Sequence, residues 1–167
     1  MASREKSMNA IEMLESQHRE VDELFEQISE TEDDDEVEQL FVQLADKLAI
    51  HAKIEEMHFY PAVKAARTED ILLEALEEHL TVKRALADLL DMDPSDETFD
   101  AKIKVLQELV EHHVEEEEND LFPKVRKILS ADQLVAIAQE MMSTMAELEG
   151  TDPRLAVPAE TAEAPRL

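Results

Sequence analysis

The sequence predicts an all-α fold, an up-down-up-down four-helix bundle with a short fifth C-terminal helix and a disordered tail. Three observations predict it. Among 167 residues glycine occurs once and aromatics reach 4%, while Glu, Leu, Ala, Asp and Val dominate, so helix formers abound and sheet formers are scarce. Apolar residues recur at helical spacing through five stretches. Finally, one phrase occurs twice: His51-Ala-Lys-Ile-Glu55-Glu56-Met-His-Phe-Tyr-Pro61 returns 62 residues later as His113-Val-Glu-Glu-Glu117-Glu118-Asn-Asp-Leu-Phe-Pro123.

The first helix is expected from about Met8 to Ser29, with Ile11, Leu14, His18, Val21, Phe25 and Ile28 on one stripe. Acidic residues crowd 29–36, as a loop feeding a helix N-terminus should. The second helix carries Val37, Phe41, Leu44, Leu48, His51, Glu55 and Phe59 and ends near Arg67. Thr68 caps the third, Glu69 to about Leu90, with Leu72, Leu76, His79 and Leu86 on its apolar side. After a Pro-containing turn at 91–97, the fourth carries Phe99, Ile103, Leu106, Val110, His113, Glu117 and Leu121. Pro61 and Pro123 each remove a backbone hydrogen bond just past a repeated Glu and are expected to kink or end those helices. Ser130-Ala-Asp-Gln133 matches a capping box and opens the fifth helix, 131–149, which Gly150 stops. Residues 150–167, rich in Pro and Ala, read as a flexible tail. The duplication extends over about 8–67 and 68–129, so that residues 1–149 form one domain.

Composition excludes several functions. Cysteine is absent, which removes disulfides, thiolate metal sites and cysteine nucleophiles. The net charge of −26 repels phosphate backbones and anionic lipid, so neither nucleic acid nor a membrane is an expected partner. Residues 1–7 lead straight into an amphipathic pattern without an apolar leader, which points to the cytoplasm.

The duplication singles out the chemistry. A His and a Glu four apart share one helix face, and two helices each present such a pair: His51 with Glu55, His113 with Glu117. His18 and His79, 61 residues apart, stand near the middle of the preceding helix in each half. Imidazoles and carboxylates buried together need partners, and a metal satisfies all of them at once. Nitrogen and oxygen donors suit a borderline-hard metal such as iron, and the doubling suggests two ions. Several neighbours weigh less. His58 shares the face of His51 but its repeat partner is Asp120; His112 lies about 100° round from His113. Glu56 and Glu118 are expected outside the ligand set, as acceptors behind it. Tyr60 matches Phe122, so its ring reads as packing, with a hydroxyl in reach of the pocket.

The whole pattern resembles the hemerythrin-like (HHE cation-binding) family. The motif is His18, then His51-x-x-x-Glu55-Glu56 with Tyr60-Pro61, then Glu78-His79, then His112-His113-x-x-x-Glu117-Glu118 with Phe122-Pro123. The resemblance covers roughly 11–129 and implies a non-haem di-iron (Fe–O–Fe) centre within a four-helix bundle, in preference to manganese or zinc. His18, His51, His79 and His113 would be terminal metal ligands and Glu55 and Glu117 bridging ones, with no separate catalytic residue. The family's oxygen carriers use a fifth histidine at four-residue spacing. Here those positions hold Ala75 and Lys83 around His79, and Leu14 and Asp22 around His18. The family's iron–sulfur repair proteins are nearer in having four His and two Glu, but they carry a cysteine-bearing N-terminal segment. The resemblance implies binding of, or reaction with, O2, H2O2 or NO under oxidative or nitrosative stress, including peroxide removal or oxidase chemistry. The alternative is an iron or oxygen sensor, or an iron store, without turnover. A protein partner could dock through the Met-bearing fifth helix or the tail.

Overall fold

The computed structural model describes residues 7–65 and 67–167; the reading of residues 1–6 as leader-free lies outside them. Four helical rods form the bundle. The first is α1, Ala10–Glu30. The second runs through α2 (Asp34–Ile54), a π-helical turn (Glu55–Phe59) and α3 (Tyr60–Val63). The third is α4, Glu69–Leu90. The fourth repeats the second: α5 (Phe99–Glu116), a π turn (Glu117–Leu121) and α6 (Phe122–Ile128). The fifth helix, α7 (Ala131–Leu148), packs on α1 and α2.

The ends follow local chemistry. Asn9 and Glu12 form a reciprocal capping box on α1, as Ser130 and Gln133 do on α7. Asp33 accepts from the Glu36 amide, and the acidic run fills the first turn of α2 where the helix dipole favours it. Thr68 precedes α4 as expected, but its side chain does not cap that helix. The buried hydroxyl donates back to the Val63 carbonyl (2.8 Å) and accepts from the Ala65 amide (2.9 Å), so it closes the preceding turn. The second rod ends at Val63, short of Arg67, because Lys64 turns to extended backbone. Gly150 takes a left-handed conformation (φ +75°) after α7, which an L side chain rarely adopts.

The two π turns explain the prolines. The Tyr60 amide bonds back five residues to the Glu55 carbonyl, and the Phe122 amide likewise to Glu117. Each proline sits at the start of the helix that follows. One widened turn absorbs the amide that proline lacks, so the rod continues where a kink or an end was expected.

Residues 150–167 are not a disordered tail. Asp152 (φ 53°) turns the chain back, and Pro153–Glu160 forms a 3-10 helix against α2 and α4. Composition suggested disorder, but Val157 is buried and both ends are tied by ion pairs that composition cannot reveal.

Apolar side chains gather in two clusters at opposite ends of the bundle. One joins Leu14, Ile54, Phe59, Leu76 and Phe122 with Ile137 and Met141 of α7. The other joins Phe25, Phe41, Leu44, Leu86, Phe99 and Leu106. Each fully buried side chain of this kind contributes roughly 2 kcal/mol. The four repeated histidines and Glu117 fall between the clusters in sequence, on all four rods, while Glu55 sits at the edge of the first cluster, between Ile54 and Phe59. Among the described residues, no helix is long and apolar enough to cross a membrane.

Candidate metal centre

His18 (α1), His51 (α2), His79 (α4) and His113 (α5) are all buried, as are Glu55 and Glu117, which open the two π turns. All six predicted residues therefore converge. The imidazoles pair within each half: the His18 and His51 ring centres lie 5.0 Å apart, those of His79 and His113 4.7 Å. Glu55 faces both pairs. Its Oε1 is 3.1 Å from His51 Nε2, while its Oε2 is 3.0 Å from His79 Nε2 and 3.8 Å from His113 Nε2. Glu117 Oε1 lies 3.3 Å from His18 Nε2 and 3.4 Å from His113 Nε2. Two groups result, His18–His51–Glu55–Glu117 and Glu55–His79–His113, each with donor atoms close enough together to hold one ion.

Every imidazole is oriented from behind. His18 Nδ1 donates to Glu118 (2.8 Å), His51 to the Gln17 amide oxygen (2.7 Å), His79 to Glu56 (2.9 Å) and His113 to Glu78 (2.5 Å). Only acceptors stand there, so each Nδ1 carries the proton and each Nε2 turns its lone pair inward, the arrangement a metal-binding histidine needs. The supports obey the repeat: Glu56 matches Glu118, and Gln17 matches Glu78 at the same offset as His18 and His79. Gln17 in turn donates to the Met145 sulfur (3.3 Å), so α7 steadies the orientation of His51.

The cluster fits a cation. His18 Nε2, His51 Nε2, Glu55 Oε1 and Glu117 Oε1 are buried without a hydrogen bond, and His79 Nε2 faces His113 Nε2 at 3.2 Å. Orphaned buried acceptors cost about 1–3 kcal/mol each, and two imidazole lone pairs meeting head-on require a proton or an ion between them. Protons fill that role without metal. Burial lowers the affinity of His18, His79 and His113 for protons, yet the adjacent carboxylates reverse this and raise all three, His113 well above the ordinary value. Burial likewise raises Glu55 and Glu117, and Glu55 repels Glu117, but the imidazoles hold both carboxyls down, Glu55 well below its ordinary range.

Two further side chains complete the site. The Tyr60 hydroxyl sits between the carboxylates, 3.1 Å from Glu55 Oε2 and 3.0 Å from Glu117 Oε2. Burial and both carboxylates raise its pKa far above the usual phenol, so it remains a donor. Its ring packs as expected, but the hydroxyl is a central element; the mismatch with Phe122 in the repeat was the one signal for it. Tyr60→Phe keeps the ring and removes this shared donor. The metal-free variant should lose about 1–3 kcal/mol in urea unfolding; an unchanged midpoint would show that the hydroxyl contributes nothing. Lys83, one of the positions where a fifth histidine was sought, is buried and bonds Glu56 (3.1 Å). Glu56 is accordingly an acceptor as expected, but an interior one. His58 lies apart, its Nε2 2.7 Å from Thr144 Oγ1 on α7. His112 is exposed beside Glu78 and Glu116.

Comparison with known proteins agrees with this geometry. The profile of the family described as "Hemerythrin HHE cation binding domain" matches residues 9–125. A crystal structure of a hemerythrin HHE cation binding domain-containing protein from Mycobacterium kansasii superposes with a TM-score of 0.79 at 26% identity, over 92% of this chain and 99% of that one. An uncharacterized protein of Mycobacterium tuberculosis is 27% identical over 86% of this chain and 89% of its own length. A DNA nickase of Nostoc is 28% identical over 88% of this chain, which spans 42% of that protein.

Proposed function

The chain belongs to the hemerythrin HHE cation-binding domain family, and from that premise we propose that the buried cluster is a dinuclear non-haem iron centre for a small oxidant or gas. His18 and His51 would hold one ion and His79 and His113 the other, with Glu55 shared by both groups and Glu117 joining the first while reaching His113. The observation that carries this reading is Glu55, whose two oxygens face different imidazole pairs from a fully buried position. Two imidazoles and shared carboxylates per ion suit iron among the common divalent metals and leave positions open to a ligand. Bound iron would supply the electrons that O2 or H2O2 reduction requires, or a coordination position for NO.

The protein's own groups do the rest. Glu118, Gln17, Glu56 and Glu78 hold the four imidazoles in the inward-facing tautomer. Tyr60 keeps a proton at Oη between the two carboxylates, where it can be donated to a reduced oxygen species or retained. The two apolar clusters flank this layer and limit water around it.

The nicking activity named for the Nostoc relative is not extended to this chain. This chain spans less than half of that protein, and its charge of −26 opposes a phosphate backbone. The test is to load the protein with ferrous iron without air and add O2, H2O2 or NO in turn, following the optical spectrum and substrate consumption. Repeated consumption of one of them supports turnover. Iron that stays bound and spectrally inert to all three would leave an iron store or sensor as the function.

A further inference from the structure

Beside the imidazoles lies a cavity of about 40 Å³, bordered by all four rings and otherwise mostly aliphatic, with Leu48, Val82, Leu86, Val110 and Val114 in its walls. That volume takes about three water-sized spheres, hence a molecule of two or three heavy atoms. The wall is completed by Val157, 2% exposed, from the 3-10 segment 153–160. The family profile ends at residue 125, so Val157 lies outside the stretch it matches.

The segment is built like a strap. Val157 is its buried residue, while its attachments are polar and lie at its two ends. At one end Arg154 Nη1 donates to both oxygens of Asp46 of α2 (2.9 and 3.1 Å), and the Arg154 amide donates to the same carboxylate. At the other, Glu160 pairs with Lys53 (2.7 Å) and with Lys83 (3.6 Å), and Arg84 donates to the Thr161 and Ala162 carbonyls. Partly exposed ion pairs contribute little individually, so the strap can detach by local opening while the bundle stays folded. Its far end also reaches the cluster: Glu160 holds Lys83, Lys83 holds Glu56, and Glu56 accepts from His79.

We propose that residues 153–160 gate this chamber and that Val157 sets its selectivity, admitting neutral molecules of two heavy atoms to the imidazole face and excluding ions. An ion entering between aliphatic walls loses its hydration without compensation, whereas O2, NO or a comparable neutral molecule loses almost none. Apart from the imidazoles themselves, the charged side chain in the wall is Lys83, which Glu56 and Glu160 neutralise. What happens at the imidazoles rests on the metal-centre reading above; the chamber and its gate do not.

The experiment uses the full chain and three variants, Val157→Phe, Val157→Ala and Arg154→Ala, with folding checked by circular dichroism. Xenon, a neutral apolar probe, is titrated into metal-free protein and followed by its NMR shift and exchange rate. Wild type and Val157→Ala should bind it, Val157→Phe should not, and Arg154→Ala should speed exchange about threefold through loss of a partly exposed ion pair. In iron-loaded protein, nitric oxide should associate at least about tenfold faster than azide, and the gap should narrow in Val157→Ala and Arg154→Ala. Absence of xenon from wild type overturns the proposal, as does xenon behaviour indifferent to all three substitutions, or azide entering as fast as nitric oxide. If iron fails to load while xenon follows the series, the gate stands and the metal reading falls.

Discussion

Loading the metal-free protein with ferrous iron at pH 8 is expected to raise its melting temperature by roughly 5–10 °C. A metal that binds the folded cluster and not the unfolded chain, present free at about a hundredfold above its dissociation constant, stabilises by ~2.7 kcal/mol. The pH dependence has opposite signs with and without metal. In the metal-free protein the pKa values of His18, His79 and His113 are raised above 6.5, mainly because carboxylates outweigh burial. Their stabilisation is full below that value and is lost as pH rises through the raised folded values. Glu55 and Glu117 are lowered from 4.5, so their contribution is present above that value and fades as pH falls through the lowered ones. Proton-filled, the cluster is thus most stabilising between about 4.5 and 6.5. Metal must displace those protons, so its gain should shrink from pH 8 towards pH 6. Thermal melts of both forms at several pH values measure this. A gain that grows on acidification would mean that iron binds elsewhere.

Glu55→Ala is expected to abolish stable binding of the metal pair, and to do more damage than Glu117→Ala. Glu55 is wholly buried and its oxygens reach three of the four imidazoles, in both halves, whereas Glu117 reaches two. Without Glu55 the imidazole pairs keep their supports but lose the carboxylate shared by both candidate groups. Metal content should fall below one ion per chain, while helix content persists because Ala is favoured in helices. In the metal-free protein the same substitution leaves raised imidazoles without their counter-charge, a loss of about 3 kcal/mol. Elemental analysis with circular dichroism checks both statements. Full metal content in Glu55→Ala would move the bridging role to Glu117 or Glu56.

Much of this was legible because the chain repeats itself. One period of about 62 residues carries both the apolar stripes and the His/Glu positions, so the bundle and the six converging residues follow from one pattern. The supporting acceptors were only partly legible. Glu56 and Glu118 could be anticipated from their places after the paired glutamates; Glu78 stood in the motif beside His79 but without a role, and Gln17, which acts across a helix pair, had no local signature. The π turns were hidden because a proline in a helix ordinarily signals a kink, and only the backbone shows the widened turn that absorbs it. The strap was missed for a different reason. Its attachments, Arg154 to Asp46 and Glu160 to Lys53 and Lys83, span about 75 to 110 positions, and composition alone cannot see contacts of that range.

The most direct test is the number of metal ions per chain. Purified protein, stripped by chelator and reloaded anaerobically with ferrous iron, is desalted and its iron and protein are quantified independently. Two iron ions per chain, falling sharply in Glu55→Ala, is the predicted result. One ion or none in a folded wild-type chain would contradict a dinuclear centre built on His18, His51, Glu55, His79, His113 and Glu117.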